Sequence, residues 1–263
     1  MRRLLPVLFL ASICSGCIHA TTLITLKPDG SGTIDQEMAM KAETLAMLRG
    51  FAQSGGAKST DKGLTGDLFT EEQARKAAAD MGVQFVSGAP FKTGELEGFR
   101  AKYAFDDIRK LKMKMDQQTA QMASSSGGGS SEQPFGFDFS RGASSSVLTI
   151  HMPEQKNSQL SQFPMGGAGG DPKENEQAMA MMKTMMAGLY FDVTLAIDGR
   201  IVKSNAPFVE GGRVTLIQMD FDKLMSNPDA LKKMQQAKDL TALQNVPGLK
   251  VVTTPTLTVE FAR

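Results

Sequence analysis

Apolar positions in this chain recur mostly at every second residue, the period of strands that bury one face of a sheet. The most regular run is Leu189, Phe191, Val193, Leu195 and Ile197, which share a face opposite Tyr190, Asp192 and Thr194. Phe99, Ala101, Tyr103 and Phe105 alternate in the same way with Arg100, Lys102 and Ala104. Phe135, Phe137 and Phe139 alternate with Gly136 and Asp138, and Leu148, Ile150 and Met152 with Val147, Thr149 and His151, so these two stretches predict a hairpin. Residues 21–26 and 33–38 predict another, joined by Lys27-Pro28-Asp29-Gly30-Ser31-Gly32, because Asp-Gly supplies the positive φ of a tight turn. The second Asp-Gly, Asp198-Gly199, predicts a hairpin from strand 189–197 into strand 200–204. Shorter strands are expected at 83–86, at 213–219 after Gly211-Gly212, and at the end of the chain through Leu257, Val259 and Phe261.

Helical spacing interrupts this pattern five times. Residues 37–51 lack breakers and space Met40, Leu45, Met47, Leu48 and Phe51 along a helix. Thr70 and Gln73 form a capping box, Glu71 and Glu72 suit the positive helix end, and Gly82 stops the helix after about Met81. Residues 106–122 predict a basic helix with Ile108, Leu111 and Met115 on one stripe and Arg109, Lys110, Lys112 and Lys114 around the rest. Asp171-Pro172 opens a helix to about Ala187 that carries five methionines, and Asn227-Pro228 opens one to about Leu240. Between them, 123–133 is a Ser/Gly tract with too little apolar surface to offset the entropy of ordering it. The expected class is α+β: an antiparallel or mixed sheet built from hairpins, with helices packed mainly on one face. In domain terms this gives a signal peptide at 1–16, an N-terminal part at 17–122, a linker or loop at 123–133, and a C-terminal part at 134–263 on the same sheet.

The first seventeen residues follow neither period. Two arginines, an apolar run from Leu4 to Ile13 and small residues before a cysteine have the layout of a secretion signal. Ser15-Gly16-Cys17 looks like the lipobox of bacterial lipoproteins, although Cys14 stands where that pattern prefers Leu. In such proteins the Cys thiol carries a diacylglyceryl group with palmitate-class acyl chains and becomes the first mature residue. Each buried methylene contributes about 0.8 kcal/mol, so two or more chains make a stable anchor. Ordinary cleavage after Ala20, releasing a soluble exported protein, is the first rival. A membrane-spanning helix is the second, but the apolar run falls short of the about 20 residues a span needs. Ile18 is not the Asp that retains lipoproteins in an inner membrane, which favours an outer-membrane site facing the periplasm.

Composition narrows the chemistry. Losing residues 1–16 removes Arg2 and Arg3 from 29 basic side chains, against 28 acidic ones, and takes the net charge from +1 to −1. Such a chain has no general attraction for nucleic acid. Its two cysteines are Cys14 and Cys17, so a lipidated mature chain keeps no free thiol for disulfides, zinc or catalysis. The 18 methionines stand out beside an absence of Trp. On the expected helix, Met179, Met182 and Met186 line one face with Met181 and Met185 beside them. Core packing by an adaptable side chain, a pliable groove for an apolar ligand, and a soft thioether site for Cu(I) are the three readings, in that order.

The remaining candidates are weaker. Residues 29–37 echo a calcium loop, but Lys27 and Met38 stand at its first and twelfth positions, so a plain hairpin turn is expected. His19 lies beside the anchor and His151 on a strand face with Thr149. Asp106-Asp107 and Asp220 with Asp222 precede helices, where N-capping accounts for them. Phosphate loops, nucleophile elbows and zinc-helix signatures are missing from the sequence. The basic stretch 106–122 is expected as a solvated face, with contact to anionic headgroups as its alternative.

The lipobox, the strand pair around residues 27–32, the 99–107 segment and Ile201-Val202-Lys203-Ser204-Asn205-Ala206 together resemble the LppM-like bacterial lipoproteins, grouped with domains of unknown function. The resemblance covers about half the mature chain and implies an envelope lipoprotein with an α+β domain and no active-site residues to carry over. The long Ser/Gly tract and the methionine helix depart from it. The expected function is a non-enzymatic, lipid-anchored envelope protein that binds an apolar, lipid-like ligand or an envelope protein. It needs no cofactor beyond the covalent lipid on Cys17, and no nucleic acid. A Cu(I)-handling lipoprotein and a hydrolase of unidentified residues are the competing classes.

Overall fold

The computed structural model describes residues 18–46, 70–113, 134–153, 187–230, 233 and 246–262. The first hairpin forms where the sequence places it and extends further. Strand β1 is Ile18–Leu26 and β2 is Gly32–Lys41, antiparallel from Leu26 opposite Gly32 to Ile18 opposite Met40. Gly30 takes φ 90°, and both the N–H and O–H of Ser31 donate to Asp29 Oδ1, at 3.0 and 2.7 Å. Residues 37–41 are therefore strand, not the start of a helix, and helical backbone begins only at 42–46. The reason is tertiary: β2 is paired on its other side to β4 as far as Lys41 opposite Leu96, and two ladders override a weak local preference.

Helix α1, Glu71–Met81, has the capping box at Thr70 and Gln73 and a left-handed stop at Gly82 with φ 72°. The expected short strand after it is a longer one, β3 (Gln84–Thr93), antiparallel to β4 (Leu96–Phe105). A bulge at Val86 leaves that side chain 54% exposed, and Pro90 is tolerated because β3 is an edge. On β4 the core face is the one the alternation predicts, with Phe99, Ala101, Tyr103 and Phe105 buried.

The basic helix does not form over its described part. Ile108–Lys110 is a single 3-10 turn capped by Asp107, and the chain then extends through Leu111 and Met113. Ile108, Leu111 and Met113 are all buried, and the Lys112 N–H donates to the Met81 carbonyl at 3.0 Å. Burying Leu111 and Met113 two residues apart requires extended backbone, which outweighs helical spacing here.

Beyond this turn, β5 (Gly136–Arg141) and β6 (Ser145–His151) form the predicted hairpin. Strand β7 (Tyr190–Ile197) buries the predicted face, and β8 is Arg200–Ser204. These two do not pair. β7 lies parallel to β1 on one side and antiparallel to β10 (Arg213–Asp220) on the other, so neither of its edges is free for β8. β8 instead joins β12 (Thr256–Ala262), and Asp198-Gly199 carries the chain from one sheet to the other. Strand β9 (Val209–Glu210), helix α2 (Phe221–Met225) and β11 (Leu249–Val251) complete the described elements.

Two sheets result, not one. The larger runs β11-β10-β7-β1-β2-β4-β3 with β9 also on β10, and the smaller runs β5-β6-β12-β8. The class is α+β, rich in strand, with one mixed and one antiparallel sheet. Strands before and after the Ser/Gly tract share the larger sheet, with β1 at its centre. Inner-face residues of both sheets, including Ile24, Ile34, Leu195, Leu148, Leu257 and Phe261, belong to one hydrophobic core and are at most 1% exposed. Each such side chain taken from water contributes about 1.5–3 kcal/mol. The small sheet also touches the first turn, where Ser146 Oγ donates to the Pro28 carbonyl at 3.0 Å.

Candidate functional site

Cys17, Met179, Met182 and Met186 lie outside the described residues, as do the Ser/Gly tract 123–133 and most of the methionine stretch. What is described is the surface into which Cys17 leads. Ile18, the first described residue, already belongs to β1, so the strand at the middle of the large sheet is in place directly after that cysteine in the sequence.

At this end of the sheet the outer face carries a polar cluster. The register places His19 beside Tyr190, and their rings stack with centroids 4.7 Å apart and planes 13° off parallel. His19 Nδ1 is buried and has no hydrogen-bond partner among the described residues. Gln218, opposite Asp192 on β10, donates from Nε2 to Tyr190 Oη at 3.1 Å and to Asp192 Oδ2 at 3.0 Å. Thr194 Oγ1 donates to Asp192 Oδ1 at 2.8 Å. Burial, aided by the Asp192 charge, raises the Tyr190 hydroxyl pKa above its ordinary value despite the Gln218 hydrogen bond. Kept neutral, Tyr190 presents a flat amphipathic surface with His19 next to the start of β1.

Further from that end the outer face is a ladder of ion pairs across β2 and β4. Lys102 Nζ lies 2.8 Å from Asp35 Oδ1 and Arg100 Nε 2.8 Å from Glu37 Oε2. Arg100 also stands over the Phe91 ring at 4.1 Å. These pairs are partly exposed and contribute at most about 1 kcal/mol each. Behind them, on the core side, burial pushes the Tyr103 hydroxyl pKa up to about 12, and it donates to Gln36 Oε1 at 3.2 Å.

The other groups singled out in the sequence are engaged locally. Asp107 caps the 3-10 turn and takes a fork from Arg109, with Nε to Oδ1 at 2.9 Å and Nη2 to Oδ2 at 2.7 Å, which holds its carboxyl below the usual range. Asp220 caps α2. Its partial burial opposes ionisation, but Lys223 bonds it through N–H at 3.0 Å and Nζ at 2.9 Å, and the net effect lowers its pKa. Asp222 Oδ1 accepts the Gly188 N–H at 2.8 Å. His151 Nε2 meets Asp138 Oδ2 at 2.8 Å on the exposed face of the small sheet. Among the described residues no three His, Cys, Asp or Glu side chains gather as a metal site, and no helix is long and apolar enough to cross a membrane.

The His19–Tyr190 stack and its Gln218 link escaped the sequence reading. Their only trace there is the polar alternate face of strand 189–197, because parallel pairing between β1 and β7 leaves no local signal.

Fold and site together define a two-sheet α+β domain whose central strand starts at the candidate lipidation point. The chain matches no family model and no curated protein sequence. Among solved structures it is similar to the NMR structure of the folded domain of the Mycobacterium tuberculosis LppM protein, at 11% identity over 98% of this chain and 94% of that one, with a TM-score of 0.34. The likeness is weak.

Proposed function

We propose that this protein is a non-enzymatic lipoprotein of the cell envelope, acylated on Cys17, whose domain binds an apolar, lipid-like ligand or an envelope protein. The observation that carries the anchor is the start of β1. Cutting before Cys17 keeps every described residue of β1 in the mature chain. Cutting after Ala20, the rival site, removes Ile18, His19 and Ala20 from the central strand. His19 and Ala20 are paired on both sides, to Ala39 and Met38 of β2 and to Tyr190 and Phe191 of β7, and Ala20 is 1% exposed. Each lost ladder bond contributes about 1 kcal/mol, so the Ala20 cut would damage the fold it releases.

Binding in place of catalysis is supported by the commitments of the charged groups. Asp29, Asp107, Asp220 and Asp222 each serve a turn, a cap or a backbone N–H. On this proposal the protein sits in an outer membrane, facing the periplasm. Replacing the anchor tests it: a Cys17→Ala variant should leave the membrane fraction of its host. A variant that stays membrane-bound with the wild-type fractionation contradicts acylation at this residue.

A further inference from the structure

Resting on acylation of Cys17, we infer that the domain stands on the membrane with the Ile18 end of the large sheet against the lipid headgroups and the 27–31 turn facing away. One peptide bond joins the acylated residue to the sheet. The Cα atoms of Cys17 and Ile18 are about 3.8 Å apart by covalent geometry, and Ile18 is already paired to Met40 in the sheet. The acyl chains fix the cysteine sulfur near the glycerol level, so the strand end that follows it sits within the headgroup layer, about 5–8 Å deep.

The neighbouring strands end at the same level. Lys41 of β2 is level with Leu96 of β4, which faces Thr93 of β3, while Tyr190 of β7 faces Asp220 of β10. At about 4.8 Å per strand the rim spreads roughly 14 Å to either side of the anchor. Tipping the domain within the sheet plane would drive one half of that rim, with its charged side chains, into hydrocarbon. The upright placement avoids this. It needs no basic patch, because Lys92 is paired with Glu97 and Lys223 with Asp220 at this end.

The same geometry agrees with a solvated setting for the described part of the basic segment and sets the headgroup alternative aside there. Ile108 N–H donates to the Gly30 carbonyl at 2.9 Å, which fixes Arg109 and Lys110 to the far end of β1. Nine residues of strand separate the two ends, about 30 Å, several times the roughly 8 Å over which salt screens charge. Arg109 and Lys110 therefore do not touch the headgroups of the anchoring membrane.

The chain has no Trp, so one introduced Trp is a unique reporter. Glu95→Trp places it in the exposed β3–β4 turn at the rim, and Lys110→Trp places it at the far end. The mature lipidated protein is reconstituted in phosphatidylcholine vesicles with brominated acyl chains, and matching far-UV circular dichroism establishes that both variants fold. The Glu95→Trp emission should fall about twofold, since the rim lies within ~10 Å of the acyl boundary, while Lys110→Trp is unchanged. Vesicle binding should not depend on salt. Equal quenching at both positions, or quenching at Lys110→Trp alone, overturns the orientation. If neither is quenched while mass spectrometry shows acylated Cys17 in the vesicle pellet, the orientation fails and the anchor stands. An unacylated Cys17 removes both.

Discussion

The two Asp-Gly turns carry the same local signal and do different things. Asp29-Gly30 closes a hairpin within one sheet and is shaped by its own residues, with Gly30 at positive φ, Ser31 bonded to the Asp29 carboxylate and Lys27 N–H donating to the Ser31 carbonyl at 2.8 Å; Ser146 Oγ on the Pro28 carbonyl and Ile108 N–H on the Gly30 carbonyl then dock the finished turn. Asp198-Gly199 joins two sheets and is held by distant residues. Asp198 N–H donates to the Leu26 carbonyl at 2.8 Å, and a Cβ on Gly199 would meet the Ala262 carbonyl oxygen at 2.4 Å. Glycine at 199 thus answers the close approach of β12. The dipeptide reports that the chain can turn; what it turns into depends on whether the preceding strand has a free edge, and β7 has none.

Breaking the second turn should therefore require a change in its distant partners. The largest effect is expected for Phe261→Ala, on β12 beside Gly199: the side chain is 0% exposed and its ring lies 6.4 Å from that of Phe139. Urea unfolding should show a loss of about 3–5 kcal/mol. A loss under 1 kcal/mol would mean the small sheet does not depend on this contact. Gly199→Ala follows, at about 1–3 kcal/mol, as the chain shifts to accommodate the added methyl. Gly94→Ala is its control, a positive-φ turn with nothing within 4 Å of the added atom, where only backbone strain of about 1 kcal/mol applies.

The smallest effect belongs to the local hydrogen bonds of the first turn. The Ser31 hydrogen bonds hold the Asp29 carboxyl pKa below its ordinary value. Its contribution is therefore fully present above the unfolded-state pKa, about 3.9, and is lost as pH falls through the lower folded value. Asp29→Ala should cost under about 1 kcal/mol at neutral pH, with the difference from wild type shrinking in acid. A difference that grows below pH 4 contradicts that sign.

Features that depend on neighbours in sequence were legible. The capping box at Thr70, the stop at Gly82, the buried face of β4 and the Asn227 cap, whose Oδ1 accepts the Ala230 N–H at 3.1 Å, follow from spacing alone. Features set by distant partners were not. Residues 37–41 carry helical spacing but lie between β1 and β4, and Leu111 and Met113 are pulled straight by the core. The site divides in the same way. Cys17 is a local motif, whereas the stacking of His19 on Tyr190 comes from a parallel strand pair far apart in the chain.

The proposed anchor joins both levels, since a local motif at Cys17 runs into the central strand of the fold. Intact mass and N-terminal fragment spectra of the protein isolated from its host membrane test this most directly. Cleavage before Cys17 with a diacylglyceryl adduct on its sulfur is the expected result. A mature chain beginning at Thr21, or a full-length chain with unmodified Cys17, would contradict it.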